Sequence, residues 1–278
     1  MPRPIRWLLI AILVAGLGAG GIAAYELLTA QPLPISERCE ATVGSYTTTV
    51  DVEQAQNAAL IAGMSIKRGL IPRAASIALA TAYQESKIRN LDYGHADSIG
   101  LFQQRPSKGW GTIEEIMDPW YSTKQFYKTM EKVKNWQTRD INDVAQAVQR
   151  SAFPEAYRQH ESNARTLASS LTGETPASFS CAITPGDADA KSLKSFYTKT
   201  YGKEAIKVET TDTGLLVTAQ DTQTAWSVAE AAVANAKRYG VAKVQVDGQS
   251  WAPANWEVPQ WQVDPTAPEG VTITLVAD

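Results

Sequence analysis

The chain has 278 residues, of which 44% are hydrophobic, so it can bury a sizeable core and, at typical domain sizes, form two folded units. Its net charge of −3 gives no basic footprint for nucleic acid, and we expect no nucleic-acid partner. Its 2 histidines and 2 cysteines form no cluster at zinc-ligand spacing, and we expect neither a metal nor a cofactor.

The chain opens with a basic and then strongly apolar segment. Two arginines precede residues 7–28, which are uncharged apart from Glu26 and are about long enough to cross a bilayer as a helix. Positive charge on the N-terminal side predicts that residues 1–28 form a cytoplasmic tail and a transmembrane anchor. The alternative is a cleaved signal peptide, because residues 21–24 include small side chains that suit a signal peptidase. We therefore expect a single-pass protein of the cell membrane whose bulk is extracytoplasmic.

The two cysteines bracket the next predicted unit. A proline-containing spacer, residues 29–38, leads into a first domain at 39–181, and Cys39 and Cys181 stand at its ends. In an oxidising compartment, a disulfide between them would join those ends. Closing a loop of about 140 residues stabilises by up to ~5 kcal/mol in the chain-entropy model. The alternative is two unrelated buried thiols.

Apolar and small residues recur at helical spacing through most of this first domain. Gly69 is a natural helix stop, and Pro72 suits the first turn of the next helix. The predicted helices cover residues 52–68, 72–86, 122–133, 141–151 and 155–171. Strand-like alternation is visible only near 99–103, so the first domain is predicted to be mainly helical.

The periodicity changes after a Thr-, Ser-, Pro- and Gly-rich stretch at 172–189, which has the composition of a linker. Residues 182–278 are predicted to form a small α+β module with at least one right-handed crossover. Its three late tryptophans, Trp251, Trp256 and Trp261, form either a stacking surface for a ligand or aromatic packing over a thin sheet. The predicted strands cover 206–209, 215–219, 241–246 and 271–276, and the predicted helix covers 224–239. The overall fold class is α+β, with an N-terminal transmembrane helix.

Two short blocks carry the chemistry. Residues 84–86 read QES at the end of the second predicted helix, and residues 98–104 read SIGLFQQ after a short loop. Together they resemble the motifs of soluble lytic transglycosylases and goose-type lysozymes, and the string through residues 105–111 resembles an actinobacterial, membrane-anchored group of exported proteins. The resemblance covers about residues 55–171 and implies a lysozyme-like domain that acts on peptidoglycan.

The resemblance implies that Glu85 is the general acid. The helix macrodipole's negative end disfavours a second negative charge in the last helical turn, and apolar neighbours add a desolvation penalty. Both effects raise the pKa of Glu85 toward the range in which a carboxyl can protonate a glycosidic oxygen.

The same resemblance suggests further contacts with the glycan. Gln103 and Gln104 would present amides to sugar hydroxyls and N-acetyl groups, Ser98 lies in the same block, and Tyr157 would face the acid across the cleft. The alternatives are ordinary loop hydrogen bonding for the glutamines, loop capping for Ser98 and core packing for Tyr157.

The predicted function is cleavage of peptidoglycan glycan strands between muramic acid and glucosamine. With one glutamate, the muramic acid C6 hydroxyl attacks and leaves an anhydro end; with Asp92 or Asp97 as a second carboxylate, water could attack instead. We expect the first outcome, although the sequence alone leaves both open. A non-catalytic wall-binding protein, and an envelope-assembly scaffold whose C-terminal module binds an envelope protein, remain as alternatives.

Overall fold

The computed structural model describes residues 36–151, 153 and 155–277, which form nine α-helices and nine β-strands. The mixed α+β class predicted from the sequence is correct. Residues Ile35–Asp278 make up one compact unit, and the other unit, Met1–Pro34, lies outside the described residues.

The fold begins with a hairpin and six helices. The first four predicted helices are found to within about three residues at their ends, whereas the fifth, predicted to begin at 155, begins at Glu161. The first begins where predicted because Asp51 caps it: the Asp51 side chain accepts from the Gln54 backbone N–H, and the Gln54 side chain accepts from the Asp51 N–H. The elements are β1 (Arg38–Val43), β2 (Tyr46–Val50), α1 (Val52–Lys67), α2 (Pro72–Ser86), α3 (Ile113–Met117), α4 (Pro119–Met130), α5 (Ile141–Gln149) and α6 (Glu161–Leu171).

A three-stranded antiparallel sheet, which the sequence did not predict, closes this half of the fold. Its order is β2-β1-β3, where β3 is Phe179–Ala182. The prediction of a linker at 172–189 is therefore wrong at this point: all four residues of β3 are buried, because the strand pairs with β1 and is covered by helices. Cys39 and Cys181 are directly opposite each other on β1 and β3 and are joined by the expected disulfide.

The C-terminal half is an antiparallel sheet with helices against it. Strands β5 and β6 both pair with β9, which lies between them, so they run parallel to each other and are joined through α8 and α9. The sheet order is β4-β5-β9-β6-β7-β8. The elements are α7 (Ala190–Ala205), β4 (Ile206–Thr211), β5 (Gly214–Ala219), α8 (Thr222–Ala234), α9 (Ala236–Tyr239), β6 (Val241–Val246), β7 (Gln249–Trp251), β8 (Gln262–Val263) and β9 (Val271–Leu275).

Helix α1 lies at the centre of a shared core. It packs against α2, α4 and α6 of the N-terminal half and against α7 and α8 of the C-terminal half. Gly63 on α1 allows α7 to approach closely, since a Cβ there would lie 2.5 Å from the Thr200 methyl group and 2.9 Å from the Tyr201 ring. The buried hydrophobic residues of both halves form one continuous cluster.

The predicted fold class needs one correction, which concerns the membrane helix. No helix in the described part of the chain is long and apolar enough to cross a membrane. The longest, α1 and α7, have 16 residues each, fewer than the roughly 20 apolar residues that a spanning helix needs. The segment predicted to span, residues 7–28, lies outside the described residues.

The late tryptophans mostly pack inward. Trp251 is buried and donates its indole N–H to Ser180 Oγ at 2.9 Å. Trp261 packs edge-on against Trp226 and donates to the Phe179 carbonyl at 3.0 Å. Trp256 is exposed. Aromatic packing is therefore the structural role of two of the three.

Candidate active site

Glu85 lies in the last turn of α2, and the chain leaves that helix along a fixed path. Lys87 and Ile88 both have positive φ, 55° and 57°, which disfavours non-glycine residues. Side chains of α1 hold this exit: Gln54 Nε2 donates to the Lys87 carbonyl at 2.9 Å, and Asn57 Nδ2 donates to the Ile88 carbonyl at 2.8 Å. The position of Glu85 is thus set by two helices.

The Glu85 carboxyl has a buried tyrosine as its direct partner. The Tyr157 hydroxyl donates to Glu85 Oε1 at 2.7 Å, and Tyr157 itself is fully buried. Asn142 Oδ1 on α5 accepts from the Tyr157 backbone N–H at 3.2 Å and fixes this turn of the chain. The residue proposed to face the acid is therefore in contact with it, although it lies in a turn ahead of α6 and not in the helix that was predicted to begin at 155.

Burial and hydrogen bonding act on Glu85 in opposite directions. Burial raises the pKa of Glu85 above its usual range, and hydrogen bonding by Tyr157 and Gln149 opposes that rise. The net pKa of Glu85 is raised. Burial and the adjacent Glu85 charge raise the pKa of the Tyr157 hydroxyl, which therefore stays a hydrogen-bond donor.

Ser86 connects the acid-bearing helix to the block at 98–104. Its buried hydroxyl donates to the Leu101 carbonyl at 2.7 Å and accepts from the Arg89 N–H at 3.2 Å. In the block, Ile99 and Gln104 exchange backbone hydrogen bonds, which closes a narrow loop. Gly100 has φ +78°, a left-handed backbone conformation that favours glycine. The two sequence blocks are therefore adjacent in space.

The two residues before Glu85 attach α2 to the segment that follows Tyr157. Tyr83 stacks on His160, with ring centroids 5.5 Å apart. Gln84 Oε1 lies 3.0 Å from His160 Nε2 and accepts from Gln159 Nε2 at 3.1 Å. Residues 83–85 thus make three successive contacts with residues 157–160, and this fixes the Tyr157 hydroxyl relative to the carboxyl.

Glu85 lines a cavity of about 820 Å³, which is within the usual range for ligand sites. Ser98, Gln103 and Trp110 also line it, and so does Gln149, whose Nε2 donates to the Phe102 carbonyl at 2.8 Å. Phe102 itself is buried and stacks on Phe126 at 4.5 Å. A lining residue of the cavity is thus hydrogen-bonded to the backbone of a packed aromatic pair.

The glutamines of the block occupy different environments. Gln103 lines the cavity, but its amide N–H groups are directed to the Tyr93 and Gly100 carbonyls at 3.2 and 3.4 Å. Gln104 is buried outside the lining, and its Nε2 donates to the Ser122 carbonyl at 3.0 Å. The structure therefore brings Ser98 and Gln103 to the acid's cavity and places Gln104 in the packing behind it.

Neither candidate second carboxylate lines the cavity. Asp97 accepts from the Ser107 N–H at 2.8 Å and from Arg105 Nε at 2.6 Å. Hydrogen bonds from Ser107 and Arg105 hold the pKa of Asp97 below its usual range. Asp92 is also outside the lining. Among the residues that line the cavity, Glu85 is the one carboxylate.

Sequence reasoning missed a set of basic and amide side chains from α4, α5 and the turns after them. Gln125, Lys128 and Lys132 line the cavity: Gln125 and Lys128 are three residues apart on α4 and therefore share one of its sides, and Lys132 lies just after the helix ends. Arg150, the C-cap residue of α5, lines it as well. The spacing was visible in the sequence, but only the fold places these side chains in the cavity that Glu85 lines.

Within the described ranges, no group of three or more His, Cys, Asp or Glu side chains is placed to hold a metal ion. What the described side chains do offer is a carboxyl with a raised pKa and a hydroxyl that donates to it, a pair that can deliver and take up a proton. No protein-family model matches the sequence, and no curated protein matches it either.

Proposed function

We propose that this protein cleaves peptidoglycan glycan strands between muramic acid and glucosamine, with Glu85 as general acid and then general base. The observation that carries the proposal is the Glu85 carboxyl in a cavity of about 820 Å³, hydrogen-bonded to the Tyr157 hydroxyl at 2.7 Å. The resemblance of the blocks at 84–86 and 98–104 to lytic transglycosylases and goose-type lysozymes supplies the substrate class.

In the first step Glu85 donates its proton to the glycosidic oxygen. Burial raises the pKa of Glu85, so the carboxyl keeps its proton to higher pH than an exposed glutamate. Because Tyr157 donates to Oε1, the acidic proton is carried by Oε2. As the bond between C1 and the glycosidic oxygen breaks, the Tyr157 hydrogen bond stabilises the carboxylate that forms.

In the second step the cavity's single carboxylate favours an intramolecular nucleophile. Two-carboxylate hydrolysis uses the second group either to activate water or as a nucleophile. With Asp97 bound to Arg105 and Ser107, Glu85 is the base available in the lining. It removes the proton of the muramic acid C6 hydroxyl as that oxygen bonds to C1. The product is an anhydro end, Glu85 regains its proton, and no water is consumed.

The substrate places this activity outside the cytoplasmic membrane. The disulfide between Cys39 and Cys181 supports that location, because such bonds persist in oxidising compartments. We accordingly propose an extracytoplasmic site of action.

Purified sacculi provide the test. The full-length chain, the Glu85→Gln variant and a matched Glu204→Gln variant, which changes an exposed glutamate on α7, are incubated with sacculi. Released muropeptides are then identified by mass spectrometry. The proposal expects anhydro ends from the wild type and from Glu204→Gln, and no release by a folded Glu85→Gln. Reducing ends would assign a lysozyme, and no release by the wild type would favour a binding or assembly protein.

A further inference from the structure

The cavity that contains Glu85 is strongly basic, although the chain as a whole carries a net charge of −3. Four exposed cations line it: Lys108 at the end of a 3₁₀ turn, Lys128 on α4, Lys132 just after α4, and Arg150 after α5. We refer to these four residues as the cationic lining. None of the four forms an ion pair with another described residue. Arg105 also lines the cavity but is paired with Asp97.

Glycan cleavage does not by itself explain this lining. N-acetylated sugar rings are neutral, so they need no cationic partner. Cations close to the acid would also favour its carboxylate form and oppose the raised pKa of Glu85. The groups that lower the pKa of Glu85 are the hydrogen-bonding side chains of Tyr157 and Gln149. The cationic lining therefore suits an anion that lies away from the proton-transfer centre.

The substrate class carries such an anion at the right place. Each stem peptide leaves the glycan through the lactyl group of a muramic acid, the sugar whose glycosidic bond Glu85 would cleave. The stem's carboxylates must therefore pass close to the cavity whenever that bond reaches Glu85. Lysine and arginine side chains form charge-assisted hydrogen bonds with carboxylates.

We propose that the cationic lining binds the free carboxylates of stem peptides, which makes the protein selective for strands whose stems are not amidated. This inference rests on the proposed function, since it names the part of the substrate that this cavity distinguishes. Selectivity follows from charge: amidation of the stem removes the anion and leaves the sugars unchanged.

Binding measured without turnover tests the proposal. Full-length Glu85→Gln protein is titrated with a short glycan fragment that carries stems with free carboxylates, and with the same fragment amidated. Exposed ion pairs are individually weak and screened by salt, so several together predict roughly tenfold tighter binding of the acidic fragment, and a weaker preference at high salt.

Matched double variants, made in the Glu85→Gln background, identify the residues responsible. Lys128→Gln with Lys132→Gln should remove most of the preference. Lys124→Gln with Lys134→Gln changes two exposed lysines of the same segment that lie outside the lining and should retain it. Thermal melting of each variant checks that it is folded.

Several results would overturn the proposal: equal affinity for the two fragments, a preference that survives Lys128→Gln with Lys132→Gln, or stronger binding of a phosphate polymer than of the acidic fragment. Its failure is distinguishable from failure of the proposed function. Cleavage of acidic and amidated strands at equal rates leaves the activity in place and refutes the selectivity. Selective binding of the acidic fragment without cleavage by the wild type leaves the selectivity in place and refutes the activity.

Discussion

Removal of the disulfide should destabilise the fold by several kcal/mol. The bond joins residues 142 positions apart, on directly opposite positions of β1 and β3. The enclosed loop contains α1 to α6 and the whole Glu85 site. In the chain-entropy model, closure of a loop of this length removes about 5 kcal/mol of unfolded-state entropy, and native strain or residual unfolded structure reduces the effect. We expect Cys39→Ala with Cys181→Ala to lose about 3–5 kcal/mol of unfolding free energy.

Urea unfolding of the oxidised wild type and the double variant measures this difference. The slope of unfolding free energy against denaturant must be compared as well, because an uncrosslinked unfolded chain exposes more surface and gives a steeper slope. Both cysteines are buried, so a small packing loss adds to the entropic effect. A loss below about 1 kcal/mol, with an unchanged slope, would refute the argument that the cross-link acts on the unfolded chain.

Three further predictions concern single side chains. Tyr157→Phe removes a hydrogen bond that lowers the pKa of Glu85, so the pKa of Glu85 should rise. The decline of kcat/KM at high pH should then move to higher pH. An unchanged pH profile in a folded variant would contradict the hydrogen bond between Tyr157 and Glu85. Ser86→Ala should cost about 1–3 kcal/mol in denaturation experiments, because the Leu101 carbonyl loses its hydrogen-bond donor; a neutral effect would show that the loop is held otherwise. Burial raises the pKa of Glu230 well above its usual range, so the stability that the protonated carboxyl contributes is present below the unfolded-state pKa and is lost as pH rises. The unfolding free energy should therefore fall with pH by at most about 1.4 kcal/mol per pH unit, and Glu230→Gln should flatten this fall. An identical pH dependence of unfolding in the variant and the wild type would refute this.

The local sequence was informative where a periodic helix meets a clear stop or cap. Pro72 marks the start of α2, and Gly69 has the positive φ expected just after α1. The position of Glu85 at the end of α2 followed from the same reasoning, whereas its closeness to the block at 98–104 was what the resemblance implied. These features depend on residues that are near each other in the chain, which is why sequence patterns reach them.

Features that depend on distant pairing were missed. Strand β3 has four residues in a Ser- and Pro-containing stretch, and only its pairing with β1 identifies it as a strand. Helix α7 was not predicted, and its regular turns are interrupted by a kink at Gly202, whose φ is +78°. The contribution of Lys128, Lys132 and Arg150 to one cavity requires the packing of α4 and α5 opposite the loop at 98–104. Tertiary contacts, which no local pattern encodes, decide the strand and the cavity. Helix α7 was missed although its start is marked locally, where the Asp189 side chain accepts from the Ser192 N–H.

The oxygen content of the newly formed glycan end tests the central claim most directly. The wild-type chain is incubated with purified glycan strands in water enriched in heavy oxygen, and the new ends are analysed by mass spectrometry. If Glu85 takes up the C6 hydroxyl proton and no water is consumed, the new muramic ends are one water lighter than reducing ends and carry no heavy oxygen. New ends that contain heavy oxygen would contradict the single-carboxylate mechanism, and the absence of new ends would contradict glycan cleavage itself.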